Sequence, residues 1–96
     1  MLILVTYDVN TKTEKGEKRL RRVAKCCMKY GQRVQNSVFE CALDEAQYKM
    51  MQAQLVKLID ENEDSLRFYN LGNKYQGKTL HFGIKCGYQA EGNIIL

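Results

Sequence analysis

Met1-Leu2-Ile3-Leu4-Val5-Thr6-Tyr7-Asp8-Val9-Asn10 is the stretch on which the fold turns. From Leu2 to Tyr7 the side chains are apolar or aromatic, interrupted only by Thr6, and a carboxylate follows at once. A short apolar run with β-branched members, closed by a turn-forming Asn, predicts a strand buried on both faces. Asp8 then sits where that strand leaves the sheet, the usual address of chemistry in a mixed domain of strands and helices.

Residues 11–16 are polar and predict a loop, with Thr13 and Glu14 as capping candidates and Gly16 disturbing the start of the helix that follows. From about Lys18 to Tyr30 the pattern is helical. Leu20, Val23, Ala24, Cys27 and Tyr30 share an arc that would pack on a sheet. Lys15, Lys18, Arg22, Lys25 and Lys29 recur three and four apart on the opposite side, and Gly31 is placed to end the helix. Arg33 to Leu43 alternates apolar with polar residues and predicts one half-buried strand, whose polar content suits a sheet edge. Asp44-Glu45-Ala46-Gln47 has the form of a capping box, and Tyr48, Met51, Leu55, Leu58 and Ile59 follow at helical spacing. The acidic run Asp60-Glu61-Asn62-Glu63-Asp64 stands where the helix dipole does not favour it, and is expected to be a solvated turn.

Ser65 to Leu71 predicts a third strand, Gly72-Asn73-Lys74 a turn and Thr79 to Ile84 a fourth strand. Ile94-Ile95-Leu96 is an apolar tail that would add to a sheet edge. The order is a β-α-β unit followed by an α-β-β unit, which points to an α+β, ferredoxin-like β-α-β-β-α-β sandwich with an additional C-terminal strand or tail. In that arrangement the first and third strands are expected at the centre and the helices on one face. The other face, left apolar and uncovered, predicts a homodimer made sheet to sheet.

Ninety-six residues make a single domain, 1–96, with little margin for burying a core alone. There is no proline, and no apolar run approaches the roughly 20 residues needed to span a bilayer. The N-terminal stretch lacks a basic n-region and a small-residue cleavage site, so it reads as a strand and not as a signal peptide. Cys26, Cys27, Cys41 and Cys86 show no metal or disulfide spacing, and four buried or semi-buried thiols in a cytoplasmic protein are expected. From Lys12 to Arg33 nine basic residues stand against Glu14 and Glu17, a balance of +7. The rest of the chain carries −3, and the net charge is +4. A segment so biased seeks a polyanion.

The candidates for chemistry are few. Asp8 either serves as a ligand or catalytic carboxylate, or caps a loop or pairs with a base. The stripe of Lys18, Arg22, Lys25 and Lys29 is either a solvated face or a set of phosphate contacts that position without reading bases. His81, the only histidine, has no partners that would make a zinc site, and Ser37 has no histidine by spacing to make it a nucleophile. Tyr7, Tyr30, Tyr48 and Phe39 fall at core periods, with Phe39 also able to face a nucleic acid.

The segments L-V-T-Y-D-V at 4–9, K-R-L-R-R-V-A-K at 18–25 and Y-G-Q-R-V-Q-N-S-V-F-E-C at 30–41 resemble the small CRISPR-associated endonucleases of spacer acquisition, the CRISPR-associated protein two family. The resemblance implies a ferredoxin-like homodimer in which Asp8 of each protomer lies near the dimer axis. It implies a Mg²⁺-dependent endonuclease, with Mn²⁺ as a substitute, acting on phosphodiester bonds of DNA or RNA. Asp8 would be both the catalytic residue and the metal ligand. Arg19, Arg22, Arg33, Ser37 and Phe39 carry over as basic and polar family positions. With Lys18, Lys25 and Lys29, the three arginines form the expected nucleic-acid-binding set, and Ser37 and Phe39 are candidate substrate contacts. The same resemblance carries an alternative, a non-catalytic dimer that binds duplex DNA and bridges dimers of a CRISPR integrase. The loop at 12–16 is longer than the family pattern, so individual basic residues there are not mapped.

Overall fold

The computed structural model describes residues 1–74 and 82. The strand expected at 79–84, the tail at 94–96, His81 and Cys86 lie outside the described residues, apart from Phe82.

Among the described residues the elements follow in the order β1 (Leu2–Asp8), α1 (Glu14–Tyr30), β2 (Gln32–Gln35), β3 (Val38–Ala42), α2 (Glu45–Leu58) and β4 (Ser65–Asn70). The strands form one antiparallel sheet in the order β2-β3-β1-β4, which is the ferredoxin-like arrangement. The expected α+β class and β-α-β-β-α-β order are both met, but by a different assignment of strands. Residues 33–43 are not one strand. They divide at Asn36 and Ser37 into the β2–β3 hairpin, whose register slips between Arg33 and Gln35. The central strands are therefore β1 and β3, while the 65–70 strand flanks β1 on the other side from β3. The physical reason lies in burial: Phe39 and Cys41 on β3 are fully buried, whereas β4 has no buried residue.

The two helices pack against one face of the sheet. Alternation along β1 turns Ile3, Val5 and Tyr7 toward them, where they meet Val23, Cys27, Phe39, Cys41, Met51 and Leu55 in one core. Tyr48 of α2 packs edge-on against Phe68 of β4, ring centroids 5.9 Å apart. Among the described residues Cys26, Cys27 and Cys41 are buried and form no disulfide, as their burial-prone chemistry predicts. Burial pushes the Cys27 thiol up to about 12 and that of Cys41 to about 11, so both stay protonated.

Helix α1 starts earlier than its periodicity predicts. Thr13 is the N-cap, its hydroxyl accepting from the Gly16 N–H at 3.1 Å. Gly16 thus lies inside the first turn, packed directly under the Asn10 carbonyl, where a larger residue has no space. Helix α2 carries the expected capping box: Asp44 Oδ1 accepts from Gln47 N at 2.7 Å and Gln47 Oε1 accepts from Asp44 N at 3.0 Å. No helix among the described residues is long and apolar enough to cross a membrane.

Candidate functional site

Strand β1 delivers Asp8 to the end of the sheet. By alternation it shares with Leu4 and Thr6 the sheet face opposite α1 and α2, and it is exposed opposite Ser65 of β4. The next residue, Val9, returns to the core, and the chain then bends away at Asn10.

That bend is anchored by a residue which the acidic run concealed. Asp64 is not part of a solvated turn: its side chain has 0% exposure. Asp64 Oδ1 accepts from Asn10 N at 3.0 Å, and Oδ2 accepts from Asp60 N and from Arg19 Nε, each at 2.8 Å. Arg19 Nη2 adds a bond to Oδ1 at 3.3 Å and lies 3.8 Å from Glu63. Burial by itself would raise the Asp64 carboxyl, but the Arg19 hydrogen bonds and charge and the two backbone donors outweigh it, so its pKa is lowered. One carboxylate therefore ties together the loop after Asp8, the first turns of α1 and the turn before β4. Arg19, expected among the nucleic-acid contacts, is spent on this node, its side chain only 16% exposed. An Asp within a polar turn was the only local sign of the role, because its partners lie 45 and 54 positions away.

Two further residues expected to touch nucleic acid sit at the other flank of β1. Phe39 is fully buried, stacked with Tyr7 at a centroid distance of 6.2 Å. It is a core residue, and the expectation that it meets substrate is corrected. The Arg33 guanidinium lies over the same ring at 5.1 Å, a cation–π contact. Its Nε is buried without a hydrogen-bond partner among the described residues. Burial raises the pKa of the nearby Tyr7 hydroxyl, partly offset by Arg33, and that hydroxyl donates to the Asn36 carbonyl at 3.3 Å. Ser37 occupies the β2–β3 turn, where its carbonyl accepts from Tyr7 N at 3.1 Å, one residue from Asp8. The fold thus brings Ser37 to the Asp8 end of β1.

The remaining basic candidates, Lys18, Arg22, Lys25 and Lys29, stay exposed on α1, and none is in an ion pair among the described residues. Their charge is available to a ligand. Among the described residues no group of three or more His, Cys, Asp or Glu side chains is arranged to hold a metal ion. A single exposed carboxylate fits only a hard cation that keeps most of its water, as Mg²⁺ does.

The sequence matches the family model described as CRISPR associated protein Cas2 over residues 1–79. It is 54% identical over 95 residues to a protein of Halalkalibacterium halodurans named CRISPR-associated endonuclease Cas2, spanning 99% of each chain. It is also 54% identical over 96 residues to a protein of Chlorobaculum tepidum named CRISPR-associated endoribonuclease Cas2, spanning 100% of each. The fold is similar to the crystal structure of Streptococcus pyogenes Cas2 at pH 6.5, with a TM-score of 0.76 and 54% identity over 86% of this chain and 100% of that one.

Proposed function

The chain belongs to the CRISPR-associated protein Cas2 family, and on that premise we propose that it is a divalent-metal-dependent endonuclease of CRISPR adaptation, acting as a homodimer. The observation that carries the reading is the position of Asp8: exposed, at the end of a central strand, on the sheet face that no helix among the described residues covers. A two-fold axis through that face would set the two copies of Asp8 near one another, doubling a donor that is too sparse alone. The relatives' names, endonuclease and endoribonuclease, favour phosphodiester hydrolysis and leave both DNA and RNA as substrates.

In this mechanism Asp8 of each protomer would hold Mg²⁺, for which Mn²⁺ would substitute. When bound, the cation supplies Lewis acidity toward the phosphate oxygens and a more acidic water. The Asp64 node keeps the strand end in place by fixing Asn10, and Ser37 lines the same end. Lys18, Arg22, Lys25 and Lys29 contact phosphates along the bound strand, contributing affinity and register without base reading.

The second reading is a non-catalytic dimer that holds duplex DNA and bridges integrase dimers. The exposed basic surface of α1, which does not depend on Asp8, favours it. Asp8→Ala separates the two when assayed with Mg²⁺ on RNA, single-stranded DNA and duplex side by side. We expect cleavage to be lost while binding persists. A purified Asp8→Ala protein that cuts as well as wild type would remove the nuclease assignment.

A further inference from the structure

Cross-strand pairing sets a cation beside Asp8 that lies far outside the basic segment at 12–33. In the β1–β4 ladder Asp8 stands opposite Ser65, Thr6 opposite Arg67 and Leu4 opposite Tyr69. Directly opposed residues share a face, so Arg67 lies with Asp8 on the sheet face opposite α1 and α2. It is the diagonal neighbour of Asp8, one row back from the strand end. Such neighbours are roughly 7–8 Å apart, a distance that a long side chain spans.

The rest of the face makes this placement selective. Among the described strand residues on it, Arg67 is the one cation, against the carboxylates of Asp8 and Glu40. Glu40 stands two strands away, beyond Leu4. Arg67 is exposed, and among the described residues it enters no ion pair. Its Nη1 instead donates to the Tyr69 hydroxyl at 3.3 Å. That bond uses one of five N–H groups, and the others face a ligand.

A guanidinium one row from a carboxylate, and not spent on it, suits a phosphodiester laid across the strand end. Hydrolysis joins the oxygen of water to phosphorus and breaks one P–O ester bond. The sugar oxygen leaves and gains a proton, in exchange for the one that the water gives up. Negative charge grows on the non-bridging oxygens meanwhile, and a fixed charged donor stabilises it most where water is excluded. In the proposed dimer the Arg67 row lies between Leu4 and the Asp8 end, where a cation losing its hydration needs an anion.

We propose that Arg67 is a second catalytic residue of the Asp8 site, its guanidinium donating to a non-bridging oxygen of the scissile phosphate. The proposal rests on the reading of Asp8 as the hydrolytic centre, and the two fail separately. Arg67→Gln, Arg67→Lys and Asp8→Ala are compared on whichever nucleic acid the wild type cuts with Mg²⁺. Arg67→Gln is expected to lower kcat by about 100-fold with KM little changed, and Arg67→Lys, which keeps the charge, to lose less. Phosphorothioate substrates supply a signature that mere support of the strand would not move. The diastereomer that Mn²⁺ does not rescue should be cut slowly by wild type, and its penalty should vanish in Arg67→Gln. Without metal, the log–log salt dependence of duplex binding should flatten by about 0.9 in Arg67→Gln and not in Arg67→Lys. Light scattering should show both Arg67 variants as dimers. Wild-type kcat in Arg67→Gln overturns the proposal and leaves Asp8 standing. So does a lowered kcat with the phosphorothioate penalty unchanged, or an Arg67→Gln protein that is monomeric where Arg67→Lys is dimeric, since Arg67 would then only support the seam. Undiminished cleavage by Asp8→Ala removes the hydrolytic centre, and this proposal with it.

Discussion

Asp64 shows how one residue's surroundings decide its role. Its lowered pKa means that its contribution to stability is fully present above the unfolded-state value, near 4, and is lost as pH falls through the folded value. The wild-type protein should therefore lose melting temperature on acidification below about pH 4, and Asp64→Asn should show a flatter acid limb. At neutral pH Asp64→Ala is expected to cost about 2 kcal/mol, since two backbone donors and Arg19 lose their acceptor. Hydrogen exchange at the Asn10 and Asp60 amides should accelerate in the same variant. Superimposable acid limbs for wild type and Asp64→Asn would show that the node carries no pH-linked stability. None of this is legible locally. Helical spacing places Arg19 near the basic stripe, but what neutralises it is a carboxylate 45 positions away. Phe39 is left with two roles for a related reason: its period suits the core, but only the packing of Tyr7 and Arg33 on its ring shows that the face is closed. Asp8, by contrast, can be placed from sequence because an apolar strand and its polar end are both local features.

At the scale of the elements, the signals that succeed are those written in consecutive residues, such as the β1 run and the Asp44–Gln47 box. The β2–β3 hairpin escapes because a polar–apolar alternation continues through it, and Asn36-Ser37 is a weaker turn signal than Asn-Gly. The start of α1 is obscured by Gly16, which lowers helix propensity by about 1 kcal/mol relative to alanine. The structure explains why glycine stands there: the first turn of α1 passes directly beneath the Asn10 carbonyl. Propensity and packing then make opposite predictions for Gly16→Ala. A methyl group would gain helix propensity but would push apart the β1–α1 loop and the helix it leads into. We expect packing to win, with a net loss of about 1–3 kcal/mol in urea denaturation. An increase in stability would mean that the loop yields freely and that the Asn10 anchor does not constrain it.

At the scale of the molecule, one face of the sheet carries no helix among the described residues, and the composition of that face bears on the proposed dimer. Cross-strand partners share a face, so Leu4 lies between Glu40 and Tyr69, and Thr6 between Val38 and Arg67, with Asp8 beyond. The face is thus mixed and not uniformly apolar, as sequence alternation along β1 alone implies. Leu4 is at its centre, half-buried, with a carboxylate beside it. Leu4→Lys is then a discriminating variant. Within one protomer the new ammonium meets Glu40 directly across the β1–β3 pair, a favourable arrangement that leaves the monomer folded. Across a two-fold seam the same change places two added charges in the centre of the contact, where desolvation costs several kcal/mol per ion. Size-exclusion chromatography with light scattering should show wild type as a dimer and Leu4→Lys as a monomer with an unchanged far-UV spectrum. Cleavage should fall with the dimer, because each protomer brings one Asp8. A Leu4→Lys protein that remains dimeric would place the seam elsewhere and separate the two Asp8 carboxylates. The metal role of Asp8 would then have to stand on one carboxylate alone.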